Sequence, residues 1–347
     1  MMVQKRSTTL ETVVGLGCIK ERMSVKMVNI ALISAWHVHF PQYADALAKR
    51  SDCKLTVVWD DDTERGTQMA KQYGCAFEPN YDALLARPDV DAVMITSSTN
   101  LHPVLLSKAA RAGKHIFTEK VLCFTKEDAQ MIRAAVKESG VKFCISFPWR
   151  CRSEYLYIKD IVKGGTLGTV SYARVRNAHN GASAGWLPPH FYDPVLCGGG
   201  AMMDLGAHPM YLLMDLFGLP EGVTSVFTGM TGRAVEDNAV SLLRYGSMVA
   251  SSETGFVSQG DPFRLEVTGS KGTVHWDEGF GKVLINTGEG FTEPQTLPAP
   301  LKMPLDQWVD AIETGSDIEF TIDDAVGLTL MMEAAYHSSR AGGEAKL

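Results

Sequence analysis

The chain has 347 residues, 45% of them hydrophobic and 21% charged, with a net charge of -7. That is the balance of a soluble globular protein long enough for about two domains. It has no basic run suited to nucleic acid and no apolar run near the ~20 residues of a membrane helix; its seven scattered cysteines form no C-x-x-C pair, which argues for reduced thiols in the cytoplasm.

The first 26 residues lie outside any periodic pattern and are expected to be a disordered or appended extension, with Met23 and Met27 as alternative starts. Their V-V-G-L-G-C-I stretch lacks the third glycine of a phosphate loop, and no strand precedes it. From Val28 strands and helices alternate. V-N-I-A-L-I (Val28 to Ile33) and K-L-T-V-V-W (Lys54 to Trp59) read as strands, with helix-like residues from Tyr43 to Lys49 between them. A helix from Asp62 to Tyr73 stops at Gly74. The strand A-V-M-I-T (Ala92 to Thr96) leads to a helix from Pro103 to Ala112, stopped by Gly113. H-I-F-T-E-K (His115 to Lys120) is a strand, Thr125 caps a helix through Glu138 that ends at Gly140, and K-F-C-I-S-F (Lys142 to Phe147) is a fifth strand. This alternation predicts a parallel sheet with helices on both faces over residues 27–148.

After Pro148 a helix (Glu154 to Lys163) gives way to Thr- and Val-rich segments at hairpin-like spacing: V-S-Y-A-R-V-R, V-T-S-V-F-T, A-V-S-L-L-R-Y, M-V-A-S-S-E-T and R-L-E-V-T-G. They predict a mainly antiparallel sheet over residues 149–347, closed by helices from Leu305 to Glu313 and from Ile322 to Ser339.

The turn after the first strand is where a dinucleotide-binding protein keeps its glycines. Here A-L-I-S-A-W-H-V-H-F, Ala31 to Phe40, has none. Three other places carry chemistry. Glu119 and Lys120 close a strand at the edge where doubly wound sheets bind ligands, although alone Lys120 reads as an ordinary exposed lysine. In C-G-G-G-A-M-M-D-L-G-A-H-P, Asp204 and His208 stand four apart on one predicted helical face, which suits a general base with an acid beside it or a structural buried pair. Asp60 closes the second strand, where an acidic residue accepts hydrogen bonds from adenosine ribose hydroxyls and repels a 2'-phosphate; capping the next helix is the alternative.

Together these features resemble the Gfo/Idh/MocA oxidoreductase family, the glucose-fructose oxidoreductase and inositol dehydrogenase relatives. A-G-K-H-I-F-T-E-K-V (Ala112 to Val121) is similar to the family's A-G-K-H-V-x-x-E-K-P, G-G-G-A-M-M-D-L-G-A-H (Gly198 to His208) to G-G-x-x-x-D-x-G-x-H, and E-A-A-Y-H-S-S-R-A-G (Glu333 to Gly342) to E-A-x-x-x-S-x-x-x-G. The resemblance implies an α/β chain: an N-terminal Rossmann domain with a doubly wound parallel sheet, then a substrate-binding and oligomerisation domain with an open, mainly antiparallel sheet. A homo-oligomer is implied with it. The catalytic roles carry over to Lys120, Asp204 and His208, and Glu119 matches the family's glutamate. Val121 replaces the family's proline.

The family's G-x-G-x-x-G falls on Ser34, Trp36 and His39. All three glycines are gone, and Trp36 obstructs a close pyrophosphate approach unless its ring points away. The helix N-terminus still offers amide donors, Ser34 a hydroxyl, His37 and His39 imidazoles, and Trp36 an aromatic face. NAD binding by a different cradle is therefore expected, with Asp60, Thr96, Ser98, His102, Glu119 and Lys120 completing it. H-V-H supplies only two metal ligands, so no metal is expected. His179, Asn180, Trp186, His190 and Tyr192 lie in a loop-like stretch suited to sugar contacts, or to loop packing. The expected activity is NAD-dependent oxidation of a secondary hydroxyl of a sugar, glycoside or cyclitol. His208 removes the proton, Lys120 stabilises the oxygen, and Asp204 orients His208 or binds a neighbouring hydroxyl. The alternatives are a glycoside-cleaving enzyme of the same family that recycles bound NAD, and a non-catalytic sugar sensor.

Overall fold

The computed structural model describes residues 27–347, so the reading of the first 26 residues lies outside the described chain. The N-terminal half is built from β1 (Val28–Ile33), α1 (Phe40–Lys49), β2 (Cys53–Trp59), α2 (Thr63–Tyr73), β3 (Ala76–Phe77), α3 (Tyr81–Leu85), β4 (Ala92–Ile95), α4 (His102–Arg111), β5 (His115–Thr118), α5 (Lys126–Ser139) and β6 (Phe143–Ile145). The strands form a parallel sheet in the order β3-β2-β1-β4-β5-β6, a doubly wound Rossmann sheet. All but Asn29 of β1, and all of β4, are buried, as apolar runs in a parallel sheet require. The helix signals act as expected. The Asp62 carboxylate accepts from the amides of Glu64 and Arg65, the Thr125 side chain caps α5, and Gly74 and Gly140 end their helices at φ 65° and 66°.

The C-terminal half holds α6 (Ser153–Lys163), β7 (Val170–Ala178), two short helices α7 (Gly181–Ala184) and α8 (Pro194–Cys197), a π turn (Met202–Gly206) leading into α9 (Ala207–Phe217), strands β8 (Gly222–Thr228), β9 (Asn238–Tyr245), β10 (Met248–Gly255), β11 (Phe263–Gly269), β12 (Gly272–Asp277) and β13 (Lys282–Asn286), helices α10 (Pro304–Thr314) and α11 (Ile322–Ala341), and β14 (Ala345–Lys346). The sheet order is β13-β12-β11-β7-β10-β9-β8-β14. It is antiparallel except at its centre, where β7 and β10 run parallel with Tyr172 opposite Val249. A long excursion between β7 and β8, which carries the π turn and α9, allows that parallel pairing.

One apolar cluster runs through both sheets. Helix α10 returns to the first sheet, packing on β1, β5 and β6, with Trp308 against Phe117 at 5.8 Å between ring centroids. The halves also meet where Phe147 stacks on Tyr211 (4.2 Å), and just after the junction Trp149 stacks on Phe263 (4.1 Å).

Between them lies a buried ion group. Arg150, 5% exposed, holds Asp215 of α9 at 2.9 Å and Asp324 of α11 at 3.1 Å, with its guanidinium over the Phe320 ring. Removing Arg150 takes a charge partner from both carboxylates, leaving Asp215 to Lys159 and Tyr155 and Asp324 to Thr321. Arg150→Ala is therefore expected to lower unfolding free energy by about 3 kcal/mol, read from the shift of the denaturant midpoint.

Candidate active site

The glycine-free turn keeps a glycine-like backbone at its first position. Ser34 has a φ of 61°, a left-handed conformation that costs energy for a residue with a Cβ. Local bonds hold it: its hydroxyl donates to Asp60 (3.3 Å) and Asp61 (3.1 Å), and its carbonyl accepts from Thr96 Oγ1 (2.6 Å). The Asp60 carboxylate accepts from the amides of Ala35 (2.8 Å) and Asp62 (3.0 Å) and from Arg65 Nε (2.9 Å), and its side chain is fully buried. Burial alone raises its pKa, but the Arg65 bond and the two amides outweigh it and hold the group low. As it lies, its carboxylate ties the first turn to the end of β2 through donors from Ser34, Ala35, Asp62 and Arg65.

Trp36 is buried at the strand ends. Its ring stacks on Phe191 (5.3 Å) and lies against His190 (4.7 Å), both from the segment after β7. The cavity lined there by Trp36, His37, Lys120, Phe191 and Asp204 is about 30 Å³, the space of about one water. A dinucleotide lying across these strand ends therefore requires the His190–Phe191 segment to part from Trp36. The donor chemistry fits one: Trp36 Nε1, His190 Nε2 and His102 Nε2 are buried ring nitrogens without a protein partner, suited to the oxygens and amide of a dinucleotide. His102 itself contacts the carbonyls of Val121 and Leu122 through Nδ1, 3.1 Å each, and so pins the loop after β5 to α4. Ser98 bonds Asn100 at 2.7 Å.

Lys120 is not an exposed strand-end lysine. Its side chain is 3% exposed, and Nζ donates to Asp204 twice, to Oδ1 at 2.7 Å and to the carbonyl at 2.8 Å; the Lys120–Val121 peptide is cis. Burial raises the Asp204 pKa, yet the Lys120 charge and hydrogen bond prevail and hold it at about 2. Asp204 does not orient His208. Asp204 sits in the π turn and His208 in α9, and the group that positions the imidazole is Tyr211, whose hydroxyl lies 2.9 Å from Nδ1 and accepts from the amide of Trp149. Burial and then the Lys120 charge push His208 down to about 3, so it is neutral near pH 7. Glu119, 2% exposed, lies 2.9 Å from His39 Nδ1, accepts from the Tyr43 hydroxyl and takes the Lys120 amide on its other oxygen at 3.1 Å. Burial opposes its charge, but His37, His39 and Lys120 hold its pKa well down.

The glycine run before Asp204 makes room rather than cradling a phosphate. A Cβ on Gly199 would meet Tyr336 Oη at 1.8 Å, and one on Gly200 the Glu236 carbonyl at 2.2 Å. The Glu236 carboxylate in turn accepts from Tyr336 Oη (2.7 Å) and from the amides of Gly200 (2.9 Å) and Met202 (3.0 Å).

Of the five loop candidates, His179, Asn180 and Trp186 come together, with the His179 and Trp186 rings 4.6 Å apart, while His190 and Tyr192 lie elsewhere. His179 stacks on Phe256 at 5.2 Å; Trp186, 55% exposed, donates to Asn180 Oδ1 at 2.9 Å; His190 lies on Trp36; and Tyr192 lies under the Arg233 guanidinium at 4.1 Å. A larger cavity, about 460 Å³, is lined by His39, Tyr43, Ser146, Trp149, Asn177 and His208, among others. Tyr43, Ser146, Trp149, Asn177 and Tyr211 were not singled out from the sequence. Two had a signal in it, Tyr43 four residues after His39 and Tyr211 three after His208, each one helical turn on.

Profiles of one family match most of the chain. "Oxidoreductase family, NAD-binding Rossmann fold" matches residues 13–147 and "GFO/IDH/MocA C-terminal domain" residues 155–275. The chain is 27% identical to an inositol 2-dehydrogenase of Rhizobium meliloti, over 85% of this chain and 92% of that one. It is 29% identical to a 1,5-anhydro-D-fructose reductase of Ensifer adhaerens, over 78% and 86%. Among solved structures, levoglucosan dehydrogenase in complex with NADH and levoglucosan shares the fold with a TM-score of 0.80 at 19% identity, covering 92% of this chain and 99% of that one. GenD2 from gentamicin A biosynthesis in complex with NAD does so at 0.79 and 24%, covering 93% and 97%.

A buried neutral histidine has a pH signature. The unfolded chain takes up the His208 proton near pH ~6.5, the folded chain only near 3. Its contribution to stability is thus complete above pH ~6.5 and is lost progressively as pH falls toward 3. His208→Asn is expected to flatten that part of the stability profile, and Lys120→Met to raise the His208 pKa, measured by NMR titration of the imidazole.

Proposed function

The chain belongs to the Gfo/Idh/MocA oxidoreductases, and from that premise we propose that it oxidises a secondary hydroxyl of a sugar, glycoside or cyclitol bound beside His208 and Lys120. The observation that carries this reading is the buried Lys120–Asp204 pair next to a cavity of about 460 Å³ that His208 lines. That volume lies within the roughly 300–1,000 Å³ of small-molecule sites. Its lining, with Trp149 as an apolar face and His39, Tyr43, Ser146 and Asn177 as polar groups, suits a polyhydroxylated ring.

NAD, the cofactor of this domain, supplies the hydride acceptor when bound. The protein's part is to move a proton and stabilise an oxygen. An ammonium has three donors; Asp204 takes two of those on Lys120, which leaves the third for the substrate oxygen as negative charge develops on it. Asp204 keeps that ammonium aimed. His208, neutral near pH 7, accepts the hydroxyl proton at Nε2 in the tautomer that carries its hydrogen on Nδ1, where the Tyr211 hydroxyl lies 2.9 Å away and fixes the ring. The apolar outer face of the second sheet, with Val226, Val240, Leu242 and Val249 at least 40% exposed, supports a homo-oligomer. The six described cysteines are all free, which supports a reducing compartment such as the cytoplasm. Among the described residues no helix is long and apolar enough to cross a membrane.

Lys120→Ala and His208→Ala are each expected to lower turnover by about 10² to 10⁴, assayed by NADH formation over a panel of glycosides, monosaccharides and inositols. Activity within a few-fold of wild type in either variant would remove the assigned roles. Trp36→Gly removes the unpartnered indole Nε1 donor and its aromatic face and adds backbone freedom that binding must freeze. It is expected to weaken NAD binding in a calorimetric titration; tighter binding would show the indole to be an obstruction.

A further inference from the structure

Two histidines in H-V-H are too few for a metal, but folding adds a third donor. Among the described residues, His37, His39 and Glu119 form a group whose ligand atoms all lie within 4.8 Å of one another. His39 Nδ1 and Glu119 Oε1 are 2.9 Å apart. That is the spacing of two adjacent ligands each about 2.1 Å from one ion, at an angle of roughly 90°. The imidazole rings of His37 and His39 sit 4.7 Å apart, and the His39 amide approaches His37 Nδ1 at 3.2 Å. A structural His39–Glu119 pair needs no second imidazole, yet His37 is buried beside it at 6% exposure.

The surroundings are those of a ligand set held in place. Glu119 accepts from the Tyr43 hydroxyl and the Lys120 amide, and Tyr43 is held in turn by Ser146 at 2.8 Å. Such outer partners orient metal-binding carboxylates. The group also joins the two cavities, His37 lining the small one with Lys120 and Asp204, and His39 the large one with His208. We propose that His37, His39 and Glu119 bind one divalent first-row transition-metal ion beside Lys120. Two imidazoles and a carboxylate suit zinc, iron or cobalt, and three protein ligands leave a coordination position open to a small molecule. This goes beyond the oxidoreductase reading and stands or falls without it.

The test uses the full chain after chelator treatment and needs no turnover. Cobalt(II) is titrated in and followed by its visible absorption, then displaced by zinc. The expected result is one ion per chain, with ligand-field bands and no thiolate charge-transfer band. Binding should weaken at least tenfold in His37→Ala, His39→Ala and Glu119→Gln, and stay unchanged in His275→Ala, a half-exposed histidine near Glu266. The His39 side chain is 42% exposed, so that variant keeps its fold, verified by circular dichroism. Absence of stoichiometric binding, unchanged affinity in His39→Ala, or a thiolate band would overturn the proposal.

Discussion

Lys120 leaves the end of the first sheet almost without solvent and meets Asp204 from the other half of the chain at 2.7 Å. A buried ammonium is unfavourable unless its donors are paired, so this bond fixes where the π turn sits relative to the strand ends. Much of the site follows from it. The π turn delivers α9, α9 carries His208 and Tyr211, and Tyr211 stacks on Phe147 just beyond the first sheet. The charge that stabilises Asp204 also helps to keep His208 neutral.

The same constraint, that buried charge must find donors, explains the other carboxylates at the strand ends. Asp60 is filled by Ala35, Asp62 and Arg65, and Glu119 by His39, Tyr43 and the Lys120 amide. Each holds a different part of the first turn. Asp60 stabilises the left-handed backbone at Ser34 that replaces a glycine, while Glu119 lies beside the histidines three and five residues further on. The turn is therefore built by side-chain bonds where relatives of the fold use absent side chains.

Trp36 extends that logic across the two halves. Its indole packs on Phe191 and His190, and that packing narrows the space at the strand ends to about 30 Å³. The wider space lies toward His208 and Trp149.

Much of the architecture was legible in the sequence because local rules govern it. Apolar runs mark β1 and β4, Asp62 and Thr125 cap helices, Gly74 and Gly140 end them, and hairpin spacing marks the second sheet. The short β3 and β14, and the hairpin of β12 and β13, carry too little pattern to be read, and the parallel β7–β10 pair depends on how a long connection folds. Lys120, Asp204 and His208 were legible as motif residues, but their partners were not. An i, i+4 spacing suggested that Asp204 serves His208, whereas a π turn and a lysine 84 residues away claim its carboxylate. Likewise H-V-H named two imidazoles, and only the approach of β5 to the first turn supplied Glu119, 80 residues on. By itself the sequence determined the elements and the residue types of the site, because those depend on neighbours a few residues away. The tertiary structure alone decided which charges meet, because a buried charge is satisfied by whatever the fold brings within about 3 Å.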